Sequence, residues 1–334
     1  MRVHVTGVAG LIGSHLARHW LEAGAEVTAS DNFSSGYKDN IDPGIVPMYE
    51  ADCTNLDDMV VAMRGADVVY HCAASPHEGL SVFSPCEITN SVFSATVTVM
   101  TAAVINKVQR VVTMSSMARY GSIRVPYMED DAPVPEDPYG IAKLAAEKEV
   151  ELLGKIHGVD YVIAVPHNVV GQGQRYDDPY RNVVAIMINR CLQGKPPIVY
   201  GDGFQKRCFS HVSDAVGPLA RMATDKNVVG EVINIGPDEE FVTINELAEI
   251  VMHATGFAGK PEYVDARPQE VKFAYCSSDK ARSLLGYETR KKLADIVLEM
   301  VAWIRKRGTL PFDYYLPLEI VNDKTPKTWV NRLI

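Results

Sequence analysis

The sequence predicts an α/β protein: a doubly wound parallel sheet followed by a smaller C-terminal α/β portion. Three observations predict it. The chain opens on a short apolar run, Arg2 to Thr6, that passes through Gly7, Gly10 and Gly13 into an amphipathic pattern from Leu11 to Ala23. A second short strand, Glu26 to Ser30, follows at once and ends in Asp31. Further on, Val68-Val69-Tyr70-His71-Cys72-Ala73-Ala74 is a continuous apolar run bounded by turns. Such a run is what a parallel strand buried on both faces looks like.

The first turn carries chemistry. Glycines spaced in this way let backbone N–H groups approach a pyrophosphate, which then sits at the positive end of the following helix. Gly7, Gly10 and Gly13 therefore mark a dinucleotide site. Asp31, about twenty residues on, is placed to accept hydrogen bonds from the adenine ribose and to repel a 2′-phosphate, which selects NAD over NADP.

At 334 residues the chain can hold one large domain or two modest ones. Its 47% hydrophobic and 22% charged residues are those of an ordinary soluble globular protein. No apolar stretch is expected to reach the roughly twenty residues needed to cross a bilayer. A strand beginning at Arg2 leaves no room for a leader, so no membrane partner and a cytoplasmic location are expected. A net charge of −9 without a Lys/Arg block gives no bulk attraction to nucleic acid. The six cysteines never form a C-x-x-C pair, which argues against a zinc site or a disulfide framework, and no metal is expected.

In chain order, a polar loop from Asn32 to Pro43 leads to a strand near Val46 to Glu50 and a helical pattern from Leu56 to Arg64. Asp52 is placed either to meet the adenine amino group or to start that helix. Ala73 and Ala74 end their strand with small side chains, against which a cofactor can pack. A long helix covers roughly Pro85 to Lys107, and Asn90 within it either ties neighbouring strands together or faces solvent. The strand from Arg110 runs into the hydroxyls of Ser115 and Ser116. After an acidic, proline-rich loop, Tyr139 and Lys143 lie four residues apart, one above the other on one helix face. A phenol ionises near pH 10. A nearby ammonium, with the positive charge of an oxidised nicotinamide, lowers that value towards the range of a general base.

On Thr6-Gly7-Val8-Ala9-Gly10-Leu11-Ile12-Gly13, Asp31, Asp52, Ser116, Tyr139 and Lys143, the chain resembles the extended short-chain dehydrogenase/reductases. Within them it is most similar to the NAD-dependent nucleotide-sugar epimerase/dehydratase family, UDP-glucose 4-epimerase-like, over nearly its whole length. The resemblance implies a Rossmann-type NAD-binding domain over 1–165, a sugar-nucleotide domain over most of 166–308 with some segments returning to the first sheet, and a tail over 309–334. It makes Tyr139 the base, gives Lys143 the nicotinamide ribose as well, and has Ser116 position the substrate hydroxyl. It further implies that Leu11, Ile12, Asn32, Cys53, Asn90 and Pro166 border the cofactor.

In the second half, strands are expected near Tyr161 to Pro166, Pro197 to Tyr200 and Gly230 to Gly236. Helices are expected near Asn182 to Gln193, over Thr243 to Thr255 with a Thr243–Glu246 capping box, and from Lys291. By resemblance, Asn168, Arg207 and Arg267 hold the substrate diphosphate, Met117 borders the sugar, and Ala274 is the position that restricts the sugar pocket by size. Guanidinium forks suit phosphate oxygens. A methyl group at Ala274 leaves room for an N-acetyl group.

Departures narrow the chemistry. Where 4,6-dehydratases carry an Asp-Glu pair, this chain has Met117-Ala118-Arg119, and the cysteine of 3,5-epimerases is Ala118. Redox at C4 remains, giving C4 epimerisation of a UDP-hexose or UDP-N-acetylhexosamine through a 4-keto sugar. A C4 dehydrogenase or 4-keto-sugar reductase could use the same triad, and a cofactor-binding regulator without turnover is a third reading. His167, beside Pro166, is expected to be a packing or hydrogen-bonding residue rather than a catalytic one. The tail from Thr309 is rich in aromatic and aliphatic residues and is expected to dock on its own subunit or a neighbour's. A homodimer through the helices beginning near Pro85 and Tyr139 is implied by the family.

Overall fold

The computed structural model describes residues 1–334 except residue 269. Strands β1 (Arg2–Thr6), β2 (Glu26–Asp31), β3 (Met48–Glu50), β4 (Val68–His71), β5 (Arg110–Met114), β6 (Asp160–Pro166) and β7 (Val232–Ile235) form one sheet, in the order β7-β6-β5-β4-β1-β2-β3. Every neighbouring pair is parallel. Strand order reverses between β1 and β4, so a crevice opens beyond the carboxyl ends of these two strands. Every residue of β4 and of β5 is buried, as expected of inner strands covered by helices on both faces, the polar Arg110 and His71 included.

The main helices are α1 (Leu11–Glu22), α2 (Leu56–Ala62), α3 (Pro85–Ile105), α4 (Pro138–His157), α5 (Val183–Leu192), α6 (Val212–Met222), α7 (Ile244–Thr255) and α8 (Leu293–Arg307). On one face of the sheet, Leu16 and Trp20 of α1 and Leu219 of α6 pack with Val3, Val5 and Val112. On the other, Met59 of α2, Val99 and Met100 of α3 and Val150 of α4 pack with Val69 and Val111. Two segments of the second half, α6 and β7, therefore lie on the first sheet. The rest builds its own core from α5, α7 and α8 around Ile188, Leu247, Ile296 and Met300. Thr243 and Glu246 form the expected capping box at the start of α7.

One expectation fails. Helix α3 spans 21 residues and is long and apolar enough to cross a membrane. Its composition has a local cause: it is wedged between α2 and α4, with Val99, Met100, Ala102 and Ala103 turned into the core. A helix covered on more than one side is apolar around more of its circumference. The tail docks on its own chain, burying Leu316, Trp329 and Ile334 against Leu80, Phe83, Tyr180 and Ile198.

Candidate active site

The glycine turn is packed too tightly for any other residue at two of its three positions. Gly7 has φ +69°, and a Cβ there would lie 2.6 Å from the Ala73 backbone nitrogen at the end of β4. A Cβ on Gly13 would run into the Gly7 carbonyl. Gly10 is different: a Cβ would meet only the Gly7 oxygen, at 3.2 Å, and the residue lines a cleft of about 580 Å³. Helix α1 starts there with no side-chain cap and no acid in its first turn. Its leading N–H groups are left for an anion, so the turn fits a pyrophosphate.

Asp31 ends β2 with both oxygens engaged, accepting from the Ala9 N–H at 2.9 Å and the Phe33 N–H at 2.7 Å. Burial pushes its carboxyl up and the two N–H groups pull it back. It fixes the turn as well as facing the cleft, a second role that the spacing alone did not reveal. Asp52 accepts from Asn32 Nδ2 at 2.8 Å and from the Thr54 N–H and hydroxyl. Burial works against ionisation there, but these bonds hold the carboxyl below its usual range.

Asp137 caps α4, its Oδ1 accepting from the Gly140 N–H at 2.9 Å, and so fixes the helix turn that carries Tyr139 and Lys143. Both side chains are buried, with Lys143 Nζ 5.8 Å from the centre of the Tyr139 ring. The ammonium donates to the Met114 carbonyl at 2.7 Å, at the end of β5, and burial lowers it to about 8. Ser116 starts the short turn after β5, where its Oγ accepts from the Ala118 N–H. Burial raises the Tyr139 phenol well above its ordinary value, and the Ser116 hydroxyl pulls it back. In the protein alone, loss of solvent dominates at the phenol and the ammonium is turned to a carbonyl, so the expected lowering is one that needs the positive charge of an oxidised nicotinamide as well.

One cleft collects the three glycines, Asp31, Asp52, Ser116, Tyr139 and Lys143. Leu11, Ile12, Asn32, Cys53, Ala73 and Ala74 also line it, as do Asn90, Pro166, Asn168, Arg207 and Arg267. Asn90 faces the cleft where α3 loosens into a π-helical turn, Asn90–Ser94, which no sequence signal marked. Asn168 Nδ2 donates to the Cys208 carbonyl at 2.9 Å. Arg267 is paired with Glu270 at 2.9 Å.

Two expected residues lie elsewhere. Met117 packs against the core beneath the sheet, and Ala274 is buried in the same core beside Cys276. A size gate at Ala274 is therefore not part of the cleft wall. Both lie in elements too short to show a period, a 3-10 turn over Met117–Arg119 and a two-residue strand, Phe273–Ala274, that pairs with Lys206–Arg207, so the packing around them sets the direction of the side chain. Arg119 is likewise turned inward, its guanidinium 3.0 Å from buried Glu147, which also accepts from Ser115. His167 is buried off the cleft, and burial lowers it to about 4.

Among the residues missed are Glu78, Arg181, Tyr200 and Ile334, all lining the cleft. Enclosure and the Asp137 charge raise the Glu78 carboxyl, against the pull of Arg207 and Arg267. Its one-turn helix, Glu78–Ser81, is too short to show periodicity.

A family model described as the NAD dependent epimerase/dehydratase family matches residues 3–236. A curated UDP-glucose 4-epimerase from Halalkalibacterium halodurans is 29% identical over 320 residues, covering 91% of this chain and 95% of that one. The structure of UDP-glucose 4-epimerase from Thermotoga maritima with UDP-glucose has a TM-score of 0.86 at 29% identity, covering 92% of this chain and 99% of that one. UDP-N-acetylglucosamine 4-epimerase from Methanobrevibacter ruminantium, in complex with UDP-N-acetylmuramic acid, has a TM-score of 0.85 at 28% identity, covering 92% and 99%.

Proposed function

Because the chain belongs to the NAD-dependent epimerase/dehydratase family, we propose that it interconverts a UDP-hexose or UDP-N-acetylhexosamine and its C4 epimer through a transient 4-keto sugar. One observation carries the reading. Ser116, Tyr139 and Lys143 converge on the same cleft as a helix start left open for a pyrophosphate.

In this reading residues 1–165 hold NAD, most of 166–308 hold the sugar nucleotide, and the glycine turn, Asp31 and Asp52 anchor the dinucleotide. Bound NAD supplies a hydride acceptor at C4 and a positive charge beside Tyr139. The Tyr139 oxygen takes the proton of the C4 hydroxyl and later returns it, while the Ser116 hydroxyl holds the same substrate oxygen. Lys143, anchored on Met114, keeps its ammonium near the phenol and within reach of the ribose. Arg207 and Arg267 take the diphosphate, with Asn168 beside them. The keto sugar must turn over before hydride returns to its other face, so the sugar end has to hold it loosely. The cofactor ends unchanged, and it is expected to copurify with the protein. The active form is a homodimer joined through α3 and α4, in the cytoplasm.

The test is proton NMR of the purified protein with UDP-hexoses and UDP-N-acetylhexosamines and no added cofactor. Appearance of the C4 epimer supports the reading. A keto sugar accumulating with stoichiometric NADH absorbance would make the protein a C4 dehydrogenase instead.

A further inference from the structure

The tail is more than a packing appendage. It is tied to two segments that each carry residues of the cleft wall, the one holding Glu78 and Glu87 and the one holding Tyr180 and Arg181. On the side of α3, the Ser84 hydroxyl donates to the Pro317 carbonyl at 2.5 Å, and Glu319 accepts from the Cys86 and Glu87 N–H groups at 2.9 and 2.8 Å, capping the start of that helix from more than two hundred residues away. On the other side, the Tyr315 hydroxyl donates to buried Asp178 at 3.0 Å, and the Asp313 N–H donates to the Asp177 carbonyl at 2.8 Å. These bonds fix residues 313–319 between the two segments.

The last turn of the tail reaches the site itself. Thr328 Oγ1 lies 2.7 Å from the Tyr200 hydroxyl, and the Arg267 guanidinium lies over the Tyr200 ring at 4.7 Å from its centre. Both Tyr200 and Arg267 line the cleft. The Trp329 ring and the Arg267 guanidinium both border Gly79, where an added Cβ would meet the guanidinium at 3.3 Å and the indole at 3.7 Å. Ile334 is buried, its N–H donating to the Tyr314 hydroxyl at 3.1 Å, and it lines the cleft near Ile198. The Leu333 carbonyl accepts from Arg190 at 3.0 Å, which fixes the approach to it.

We infer that residues 309–334 form part of the nucleotide-binding wall: Thr328 and Trp329 set Tyr200 and Arg267 against the diphosphate, and Ile334 closes the cleft beside them. This rests on the proposed sugar-nucleotide reading for the identity of the ligand. Tail residues thereby act as positioning and specificity residues for binding, remote from the Tyr139 end where the chemistry is placed. A tail that only stabilises the fold would instead affect melting and cofactor content, and leave nucleotide affinity in the folded protein untouched.

The experiment uses Thr328→Val, which removes a hydroxyl at nearly constant volume, Ile334→Asp, which puts a carboxylate at the cleft wall, and a chain ending at Gly308. UDP alone is titrated calorimetrically into each protein, and KM, kcat, bound NAD and the melting midpoint are measured alongside. Each point variant is expected to weaken UDP binding roughly tenfold, the effect of about 1.4 kcal/mol. KM should rise in parallel, while kcat and bound NAD stay near wild type. UDP affinity and KM within twofold of wild type in both point variants would overturn the inference, whether or not the shortened chain folds. Wild-type protein that binds UDP but converts no UDP-sugar refutes the reaction and leaves the tail's role standing. Wild-type protein that does not bind UDP removes both.

Discussion

Gly10 and Gly13 sit three residues apart in one turn and answer to different constraints. A methyl at Gly13 has to displace the Gly7 carbonyl, whereas at Gly10 it meets one oxygen at 3.2 Å and otherwise projects where a ligand would pass. Gly13→Ala is therefore expected to lower the melting midpoint sharply. Gly10→Ala should melt near wild type yet carry at least tenfold less NAD, read from the absorbance of the denatured supernatant. Equal melting losses in the two variants would remove the distinction. Lys143 shows the opposite bargain between stability and function. Burial lowers its ammonium from 10.5 to about 8, so between those pH values the folded protein binds fewer protons than the unfolded chain. The cost of burying the charge is fully present below pH 8 and is relieved as pH rises towards 10.5. Lys143→Met should thus be inactive but more stable than wild type at pH 7, by up to about 3 kcal/mol. That advantage should shrink by pH 10 in urea unfolding.

At the scale of elements, α4 positions the reacting groups through its cap. Asp137→Ala removes the acceptor for the Gly140 N–H and should cost about 1 kcal/mol. Asp137→Asn keeps an acceptor but removes a negative charge that raises the Tyr139 phenol. The phenolate is then easier to form, and the acid limb of the kcat profile should move to lower pH; an unmoved limb would mean that another group controls it. What could be read in advance divides along the same line. The glycine turn, the Tyr139–Lys143 spacing and the Thr243–Glu246 box are local patterns within one or two turns of chain, and each is present. The inward turn of Arg119 onto Glu147, the π-helical turn at Asn90, and the burial of Met117 and Ala274 away from the cleft depend on neighbours distant in sequence. No periodicity encodes them, because their directions are set by what packs against them.

For the whole molecule, packing between α2 and α4 accounts for only part of the apolar surface of α3. That helix is apolar enough to span a bilayer, yet less than half of it is buried. Beside it on α4, Ile141, Leu152 and Ile156 are each more than half exposed, and their spacings of eleven and four residues put them on one helix face. With Ile105 of α3 also more than half exposed, apolar groups stand in the open on both helices, which is the kind of surface the proposed dimer would cover. A two-fold axis would bring the same pair of helices together from two copies. If the proposed dimer forms through these helices, wild type should sediment as a dimer and Leu152→Glu combined with Ile156→Glu as a monomer; a monomeric wild type would remove the dimer from the proposal. Bound NAD should be retained, because Tyr139 and Lys143 point to the other side of α4, into the cleft. The tail links this surface to the site, since Glu319 caps the start of α3 while Ile334 lines the cleft. If the two are coupled, the monomeric variant should also bind UDP more weakly than wild type; if dimerisation and binding are independent, its UDP affinity will match that of the dimer.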